Sequence, residues 1–420
     1  MITDSRAVRA TVIICAMCVG SCSSREPDAE WDGSVRDSAG VEIVVNNGPP
    51  LWDTGERWRL SEVLRVGVSE GAPEYMFGAL AGLGVLSDGR IVIADGIAHH
   101  LRFFFPDGRW QLTVGRAGSG PGEFGAGALP ILVGPGDTLL VVDARNQRVS
   151  RIGPDGMWLD AWRSAPADGW MVRDWDYAPS GVIVSHMTRV PGTDSTGIDM
   201  LDVVVARDLA GSVRDTVGWV PASALRQYSG RGMEFFLYAG EPVVSLCPDN
   251  TLVTGRGDRY EIRRYDPTGR VVQVVRLERG NVPITDAEQV FLRQRFKEIY
   301  LESGFPITRV EELLAGMHFT ETYPAFVTLA CGPHGSIWVQ PARPVSDLTD
   351  AERQDFWVGP LAEASAHFDV FDRRGRYLGV VPLPEGFWPG RFHGDALYGR
   401  WRDSLDVEYV KVMRVEGLAP

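Results

Sequence analysis

The glycine-rich segment LTVGRAGSGPGEFG, residues 112–125, is the stretch whose composition most suggests phosphate binding. Such a loop binds phosphate through backbone amides that open a helix, and a nucleotide loop also carries G-K-[ST]. No helical pattern follows this segment, and it lacks G-K-[ST]. A similar stretch, LRVGVSEGAPEYMFG at 64–78, begins 48 residues upstream, and a phosphate loop has no reason to recur at that separation. We therefore interpret the segment as a connection within a repeat.

Histidine and cysteine are the other residue types that could carry catalysis. The sequence has no G-x-S-x-G nucleophile motif, and no two histidines have the spacing of a helical HExxH site. Its seven histidines are His99, His100, His186, His318, His334, His367 and His393. Neither Cys247 nor Cys331 has an evident histidine partner, so nucleophilic catalysis has no support.

Composition indicates a folded protein with many short strands. The chain has 420 residues, of which 44% are hydrophobic and 23% charged, enough to bury a sizeable core. Its 48 glycines and 13 tryptophans favour turns and strands over long helices. The net charge of -13 argues against binding of nucleic acid or of an anionic membrane by the body of the protein.

The N-terminus has the layout of a secretion signal. Arg6 and Arg9 precede an apolar run that is too short to span a bilayer, and the run ends in VGSC at Cys22. This pattern resembles a bacterial lipobox, in which the cysteine becomes the lipidated first residue. We expect a signal peptide at 1–21, a lipidated tether at 22–39 and an extracytoplasmic location, with the lipid on Cys22 as the only membrane contact. The alternative is a plain secretory signal that is cleaved elsewhere.

Paired tight turns recur along the chain. They occur in LSDGRIVIAD (86–95) with FFPDGRWQL (104–112), in VGPGDTLLVVD (133–143) with RIGPDGMWLD (151–160), and in LCPDNTLVTG (246–255) with RYDPTGRVVQV (264–274). The two turns of each pair lie 19 residues apart, and such turns between alternating apolar residues predict hairpins. Units of four strands at a fixed period are typical of propeller blades.

The remaining blades follow from less regular segments. Residues 175–186 with 202–219 predict one blade, 326–340 with 367–381 another, and 392–414 the first three strands of a last one. We expect residues 58–68 to supply its fourth strand, because pairing the two ends of the chain leaves no open ring. The sequence thus predicts an all-β fold, a six-bladed β-propeller over 40–420 closed by N- and C-terminal strands.

The segments LSDGRIVIAD, HHLRFFFPDGRWQLTVGRAGSGPGEF and VVDARNQRVSRIGPDG resemble the repeats of NHL-type six-bladed propellers. The whole chain is similar to the propeller lipoproteins of bacteria, and the resemblance covers about residues 40–414. The glycine-rich segment is then the crossover between two blades. This places Glu123 and Phe124 where the chain approaches the central channel.

Three insertions interrupt the repeat on one face of the predicted propeller. Residues 220–240 form a long crossover, and a helical insertion covers about 281–320. Capping boxes at Thr285 with Glu288 and at Thr308 with Glu311 predict two short helices there. The third insertion, 342–365, lies between the second and third strands of the fifth blade.

Large aromatic and arginine side chains near this mouth favour binding, because they offer rigid contact area with polar groups. The predicted ligand-binding residues are Glu123, Phe124, Trp170, Arg173, Trp175, Arg226, Tyr228, Arg231, Tyr238, His318 and His393. We expect a protein, peptide or glycan partner and predict no cofactor.

An enzyme is the alternative hypothesis. Propellers similar to this one include metal-dependent lactonases and lyases, so a calcium ion, or a zinc ion held by His186, His318 and His393, would then occupy the channel. Cys247 and Cys331 follow the inner strands of neighbouring blades, where either a disulfide or two separate buried thiols would fit. The sequence favours a binding module over an enzyme.

Overall fold

The computed structural model describes residues 31–53, 57–164, 170–177, 181–189, 202–220, 227–229, 232–359 and 362–418. The described part contains six blade sheets, each with four consecutive antiparallel strands, and one small additional sheet. The predicted six-bladed propeller is confirmed. The predicted signal peptide at 1–21 and Cys22 lie outside the described residues.

The first half of the chain forms the N-terminal strands and three blades. The strands before blade 1 are β1 (Gly33–Ser38), β2 (Val41–Asn46) and β3 (Arg59–Val66). Blade 1 contains β4 (Leu80–Val85), β5 (Ile91–Asp95), β6 (His100–Phe104) and β7 (Trp110–Val114). Blade 2 contains β8 (Ile131–Val133), β9 (Leu139–Asp143), β10 (Arg148–Ile152) and β11 (Trp158–Arg163). Blade 3 contains β12 (Trp170–Tyr177), β13 (Ile183–Arg189), β14 (Asp202–Arg207) and β15 (Val213–Val220).

The second half forms the other blades and the helices. After β16 (Gln227–Ser229) and β17 (Gly232–Leu237), blade 4 contains β18 (Val243–Leu246), β19 (Leu252–Gly255), β20 (Glu261–Tyr265) and β21 (Val271–Leu277). Next come α1 (Asp286–Glu302), α2 (Ile307–Ala315) and β22 (Met317–Phe319). Blade 5 contains β23 (Phe326–Cys331), β24 (Ile337–Arg343), α3 (Asp350–Asp355), β25 (Glu363–Ala364), β26 (His367–Phe371) and β27 (Tyr377–Pro382). Blade 6 contains β28 (Phe387–His393), β29 (Ala396–Arg402), β30 (Glu408–Glu416) and the early strand β3.

The two ends of the chain close the ring as predicted. Strand β3 pairs antiparallel with β30, from Arg59 opposite Glu416 to Val66 opposite Val410. The Asp-Gly turns form the expected hairpins, and Gly89 and Gly108 have φ angles of +83° and +82°, a region that glycine adopts without steric cost.

An N-terminal hairpin extends the sheet of blade 4 at its outer edge. Residues 33–38, assigned to the tether, form β1, and β2 adds in parallel to the outer strand β21 of blade 4. The buried side chain of Asn46 holds this addition, because its amide donates to the carbonyl oxygens of Arg276 and Gly375 and its oxygen accepts from the indole of Trp31. Nothing in the local pattern of 33–38 distinguishes this strand from a polar tether.

The glycine-rich segment is held as a structural crossover. Arg148 donates to the carbonyl oxygens of Ser119, Gly120 and Glu123, and the Glu123 carboxylate accepts from the Gly120 amide at 2.7 Å. Phe124 is only 1% exposed and packs in the core between blades 1 and 2.

The three insertions pack together into one unit, which we call the cap: the described residues within 227–240, 281–324 and 344–364. Its core contains Leu237, Phe296, Met317 and Phe356, so each insertion contributes to a shared apolar cluster. Strand β17 also pairs in parallel with β22. The predicted capping box of Thr285 with Glu288 is confirmed.

The second predicted capping box is wrong. Pro306 is the N-cap of α2, and Thr308 lies within the helix. A third helix, α3, has a capping box of Thr349 with Glu352 that was not predicted.

Cys247 and Cys331 form a disulfide with their Cα atoms 5.3 Å apart. The bond joins the ends of inner strands β18 and β23 and so ties blade 4 to blade 5. Of the two arrangements that the sequence left open, the structure has the disulfide.

Replacing both cysteines by alanine is expected to lower the free energy of unfolding by about 2–4 kcal/mol, because the cross-link closes a long loop in the unfolded chain. Denaturant unfolding of the variant and of the wild type measures the difference. As a control, a reducing agent should destabilise the wild type and leave the variant unchanged. An equal unfolding midpoint for reduced and oxidised wild type contradicts the covalent link.

Candidate functional site

The inner strands of all six blades enclose a central channel with a volume of about 1040 Å³. Its wall is mainly glycine, alanine and aliphatic side chains, such as Ala81 and Leu83 of β4 and Ile131 of β8. A cavity of this size, apolar with a few polar groups, is typical of small-molecule sites. The few charged side chains that line it therefore define its chemistry.

An ion pair crosses this channel. Arg391 of β28 in blade 6 lies 3.5 Å from the carboxylate of Asp176 of β12 in blade 3, measured from Nη2 to Oδ1. Blades 3 and 6 face each other in a ring of six, so the two side chains meet from opposite walls. The other oxygen of Asp176 accepts a 2.6 Å hydrogen bond from the Leu246 amide, which fixes the carboxylate against blade 4.

The guanidinium of Arg391 keeps its donors available. It makes no hydrogen bond within the described part of the chain, and its side chain is 31% exposed. Charge-assisted hydrogen bonds are normally 2.7–2.9 Å long, so the 3.5 Å contact with Asp176 is electrostatic and leaves the planar fork of donors free. That fork matches a carboxylate or a phosphate.

His393 lies two residues further along β28 and also lines the channel. Partial desolvation lowers its pKa, and the positive charge of Arg391 lowers it further, while Asp137 acts in the opposite direction. The imidazole is therefore neutral at pH 7, available to donate one hydrogen bond. Asp137 is held at the same end of the channel, because its carboxylate accepts from the amide and hydroxyl of Ser87, both at 2.8 Å.

The other predicted site residues do not gather around this channel. Glu123 and Phe124 belong to the crossover described above. Tyr238 is 2% exposed in the cap core, where it stacks on Tyr323 with ring centroids 5.1 Å apart, and burial raises its pKa. His318 also lies in the cap, stacked on Phe236 at 5.1 Å and 3.8 Å from the Glu234 carboxylate.

Several predicted residues cannot be placed in full. Trp170, Arg173 and Trp175 belong to β12 and Tyr228 to β16, but their side chains lie outside what the structure describes. Arg226 and Arg231 lie outside the described residues altogether.

Of the three histidines suggested as zinc ligands, His318 and His393 lie far apart, and the side chain of His186 lies outside what the structure describes. His318 belongs to the cap, on the face of the crossovers, whereas His393 precedes the turn between β28 and β29 at the opposite end of the channel. These two imidazoles therefore cannot share an ion. The described residues contain no group of three or more histidine, cysteine or acidic side chains that could hold a metal.

Sequence reasoning selected His393 but missed Arg391 and Asp176. Asp176 could have been singled out as a charged residue in a predicted inner strand, whereas Arg391 lay one residue before the predicted start of the last blade. The pairing itself was not detectable, because 215 residues separate the two positions.

Comparison with known proteins shows the fold. No family model matches the chain, and no curated protein matches it in sequence. A member of the DUF4221 family from Bacteroides vulgatus aligns with a TM-score of 0.52 and 11% identity, covering 86% of this chain and 98% of that one. Virginiamycin B lyase from Staphylococcus aureus aligns with a TM-score of 0.42 and 10% sequence identity, covering 85% of this chain and 99% of the lyase chain. A gluconolactonase from Xanthomonas campestris aligns with a TM-score of 0.40 and 11% sequence identity, covering 88% of this chain and 99% of the gluconolactonase chain.

At these identities the similarity concerns the propeller architecture alone, and activity has to be argued from the site. Within the described part of the chain, none of the helices has the length and hydrophobicity needed to cross a membrane.

A second ion pair provides a structural contrast to Arg391. Asp369 is fully buried between blades 4 and 5, where it accepts from the hydroxyls of Tyr260 and Tyr377 at 2.8 and 2.7 Å and from Arg279 at 2.7 Å. Each oxygen of this carboxylate is satisfied. Asp369 therefore belongs to a closed structural network, unlike the pair in the channel.

Replacing Arg391 by glutamine is expected to change the free energy of unfolding by less than about 1 kcal/mol, because the pair is long and water-accessible. Replacing Arg279 by glutamine should cost about 2–4 kcal/mol, since it leaves the buried Asp369 without its cation while partial exposure of Arg279 moderates the loss. Denaturant unfolding of both variants tests the contrast. A large decrease in the free energy of unfolding of the Arg391 variant would show that this residue has a mainly structural role.

Proposed function

We propose that this protein is a lipid-anchored extracytoplasmic binding protein whose central channel takes a small ligand bearing a carboxylate or a phosphate. The observation that carries the proposal is the Arg391 guanidinium, which lines the channel, is 31% exposed and makes no hydrogen bond within the described residues. These donors face the channel, where an oxyanion that displaces water can accept charge-assisted hydrogen bonds from them.

The geometry around Arg391 supports a small ligand over the protein, peptide or glycan expected from the sequence. Arg391 and Asp176 meet from opposite walls, so an extended polymer cannot thread the channel without separating them. A small anion can bind the free donors of Arg391 while Asp176 stays on its Leu246 amide. The neutral imidazole of His393 then donates to the same ligand or to a second polar group.

Two features support the proposed location. Arg6, Arg9 and the apolar run before Cys22 have the order of a lipoprotein signal. The disulfide between Cys247 and Cys331 suits an oxidising compartment, because such bonds are rare where thiols are kept reduced. The enzyme hypothesis remains the alternative, and the present proposal is preferred because Arg391 gives it a specific observation.

Titration calorimetry of the wild type with succinate, inorganic phosphate and sulfate tests the binding proposal. We expect at least one of these anions to bind, and Arg391→Gln to weaken its binding by about 10- to 100-fold, the equivalent of one or two charge-assisted hydrogen bonds. The matched control is Arg109→Gln, which changes an exposed arginine paired with Asp107 on an outer hairpin. Equal affinity in the two variants, or no binding of any anion, contradicts the proposal.

The affinity for sulfate should rise as pH falls below about 6.5, by at most about tenfold per pH unit. The pKa of His393 is lowered in the free protein, and a bound anion raises it, so binding takes up a proton in this window. Calorimetry between pH 5 and 8 measures the slope, and His393→Gln should abolish it while retaining binding at pH 8. In the free protein, His393 by itself makes folding less favourable as pH falls through the same window.

A further inference from the structure

The N-terminal hairpin fixes where the tether leaves the propeller. Strand β2 runs parallel to β21, with Asn46 opposite Leu277, and β1 returns antiparallel, so that Gly33 lies opposite Asn46. The Glu278 amide donates to the Asn46 carbonyl oxygen at 3.0 Å. Glu278 follows β21 directly, at the point where the chain leaves blade 4 for the cap. The tether therefore emerges beside the base of the cap.

This exit point is locked by hydrogen bonds. Asn46 is 1% exposed, and its side-chain oxygen accepts from the Trp31 indole at 2.8 Å and from the Tyr377 amide at 2.7 Å. The carbonyl oxygen of Asp32 accepts from the amides of Asn47 and Gly48. The chain is thus held to blades 4 and 5 as far back as Trp31.

The distance to the proposed anchor is short. Nine residues separate Cys22 from Trp31, and nine residues span at most about 30 Å when fully extended. Helix α1 has 17 residues and is about 25 Å long, so the reach of the tether is similar to the length of the longest cap helix. Because this short tether leaves the propeller at the end of β21, beside the base of the cap, we expect the bilayer that holds the anchor on the cap side of the molecule.

The cap presents an apolar tip to its surroundings. All residues from 301 to 309, at the turn between α1 and α2, are exposed. They include Leu301, Phe305 and Ile307, which are 39%, 44% and 44% exposed. Two contacts support this turn. Val310, the residue after it, is fully buried, and Phe305 packs against Tyr300 with ring centroids 5.1 Å apart. A supported turn that exposes three large apolar side chains has the character of a membrane-inserting element.

We propose that the cap tip, formed by Leu301, Phe305 and Ile307, docks on the lipid bilayer that holds the Cys22 anchor. The inference rests on the lipid anchor of the proposed function and adds an orientation to it. A lipid anchor and an apolar contact together hold a protein far more firmly than either does alone. The occupant of this surface is lipid because the tether length brings the bilayer to the cap.

The test uses the full-length lipidated chain in vesicles of phosphatidylethanolamine and phosphatidylglycerol. Phe305→Cys carries a polarity-sensitive fluorophore, and Leu159→Cys, 48% exposed on the outer strand of blade 2, carries the same fluorophore as the matched control. Cys15 and Cys18 leave with the signal peptide when the protein is processed to Cys22, so with Cys22 lipidated and Cys247 joined to Cys331 the introduced thiol is the site of labelling. Vesicle flotation is measured on the same samples.

We expect the label at position 305 to shift to the blue with a several-fold gain in intensity, and the label at 159 to remain water-like. A protein that floats with both labels water-like overturns the docking while leaving the anchor intact. A protein that does not float shows that the anchor, and with it the docking, is wrong. Shielding of position 305 in cell envelopes but not in pure vesicles would show that a protein covers the tip, which also overturns the proposal.

Discussion

The closed ring is the constraint on which the rest of the structure depends. A four-stranded blade is too small to be stable alone, so each blade needs two neighbours to cover its faces. The ring closes where β3 of the N-terminal region completes blade 6 beside β30. Glu408 of β30 joins this last blade to the first, because its carboxylate accepts from the Leu80 amide and also pairs with Arg402 at 2.6 Å. Since both ends of the chain are needed to complete one blade, folding of the ring is expected to be cooperative.

The strongest cross-links are concentrated between blades 4 and 5. The disulfide joins their inner strands, the Asp369 network joins their middle strands, and Asn46 joins their outer strands with the N-terminal hairpin. The cap rises from the same sector, since its largest insertion is the connection between these two blades. The cap and the N-terminal hairpin are therefore attached to the sector of the ring that these contacts cross-link.

The channel and this sector differ in how their charged side chains are hydrogen-bonded. Both oxygens of Asp369 accept hydrogen bonds, whereas Arg391 faces a cavity and, among the described residues, has one polar contact, the 3.5 Å pair with Asp176. Structural charges in protein interiors are normally paired and hydrogen-bonded. This accessible arginine on an inner strand is the observation on which the proposed ligand site rests. The ring fixes both walls of the channel.

Local residue patterns by themselves determined the blade count, the hairpin turns, the closing strand and the first cap helix. These features depend on contacts within one repeat, such as the left-handed glycines of the Asp-Gly turns and the capping box of Thr285 with Glu288. The tertiary structure alone decided that 33–38 form a strand, that Cys247 bonds to Cys331, that Tyr238 is buried, and that Arg391 meets Asp176. Each of these results depends on residues brought together from different blades. A charged or aromatic side chain has the same identity whether it faces water, a core or a channel, and only the assembled ring determines which of these it meets.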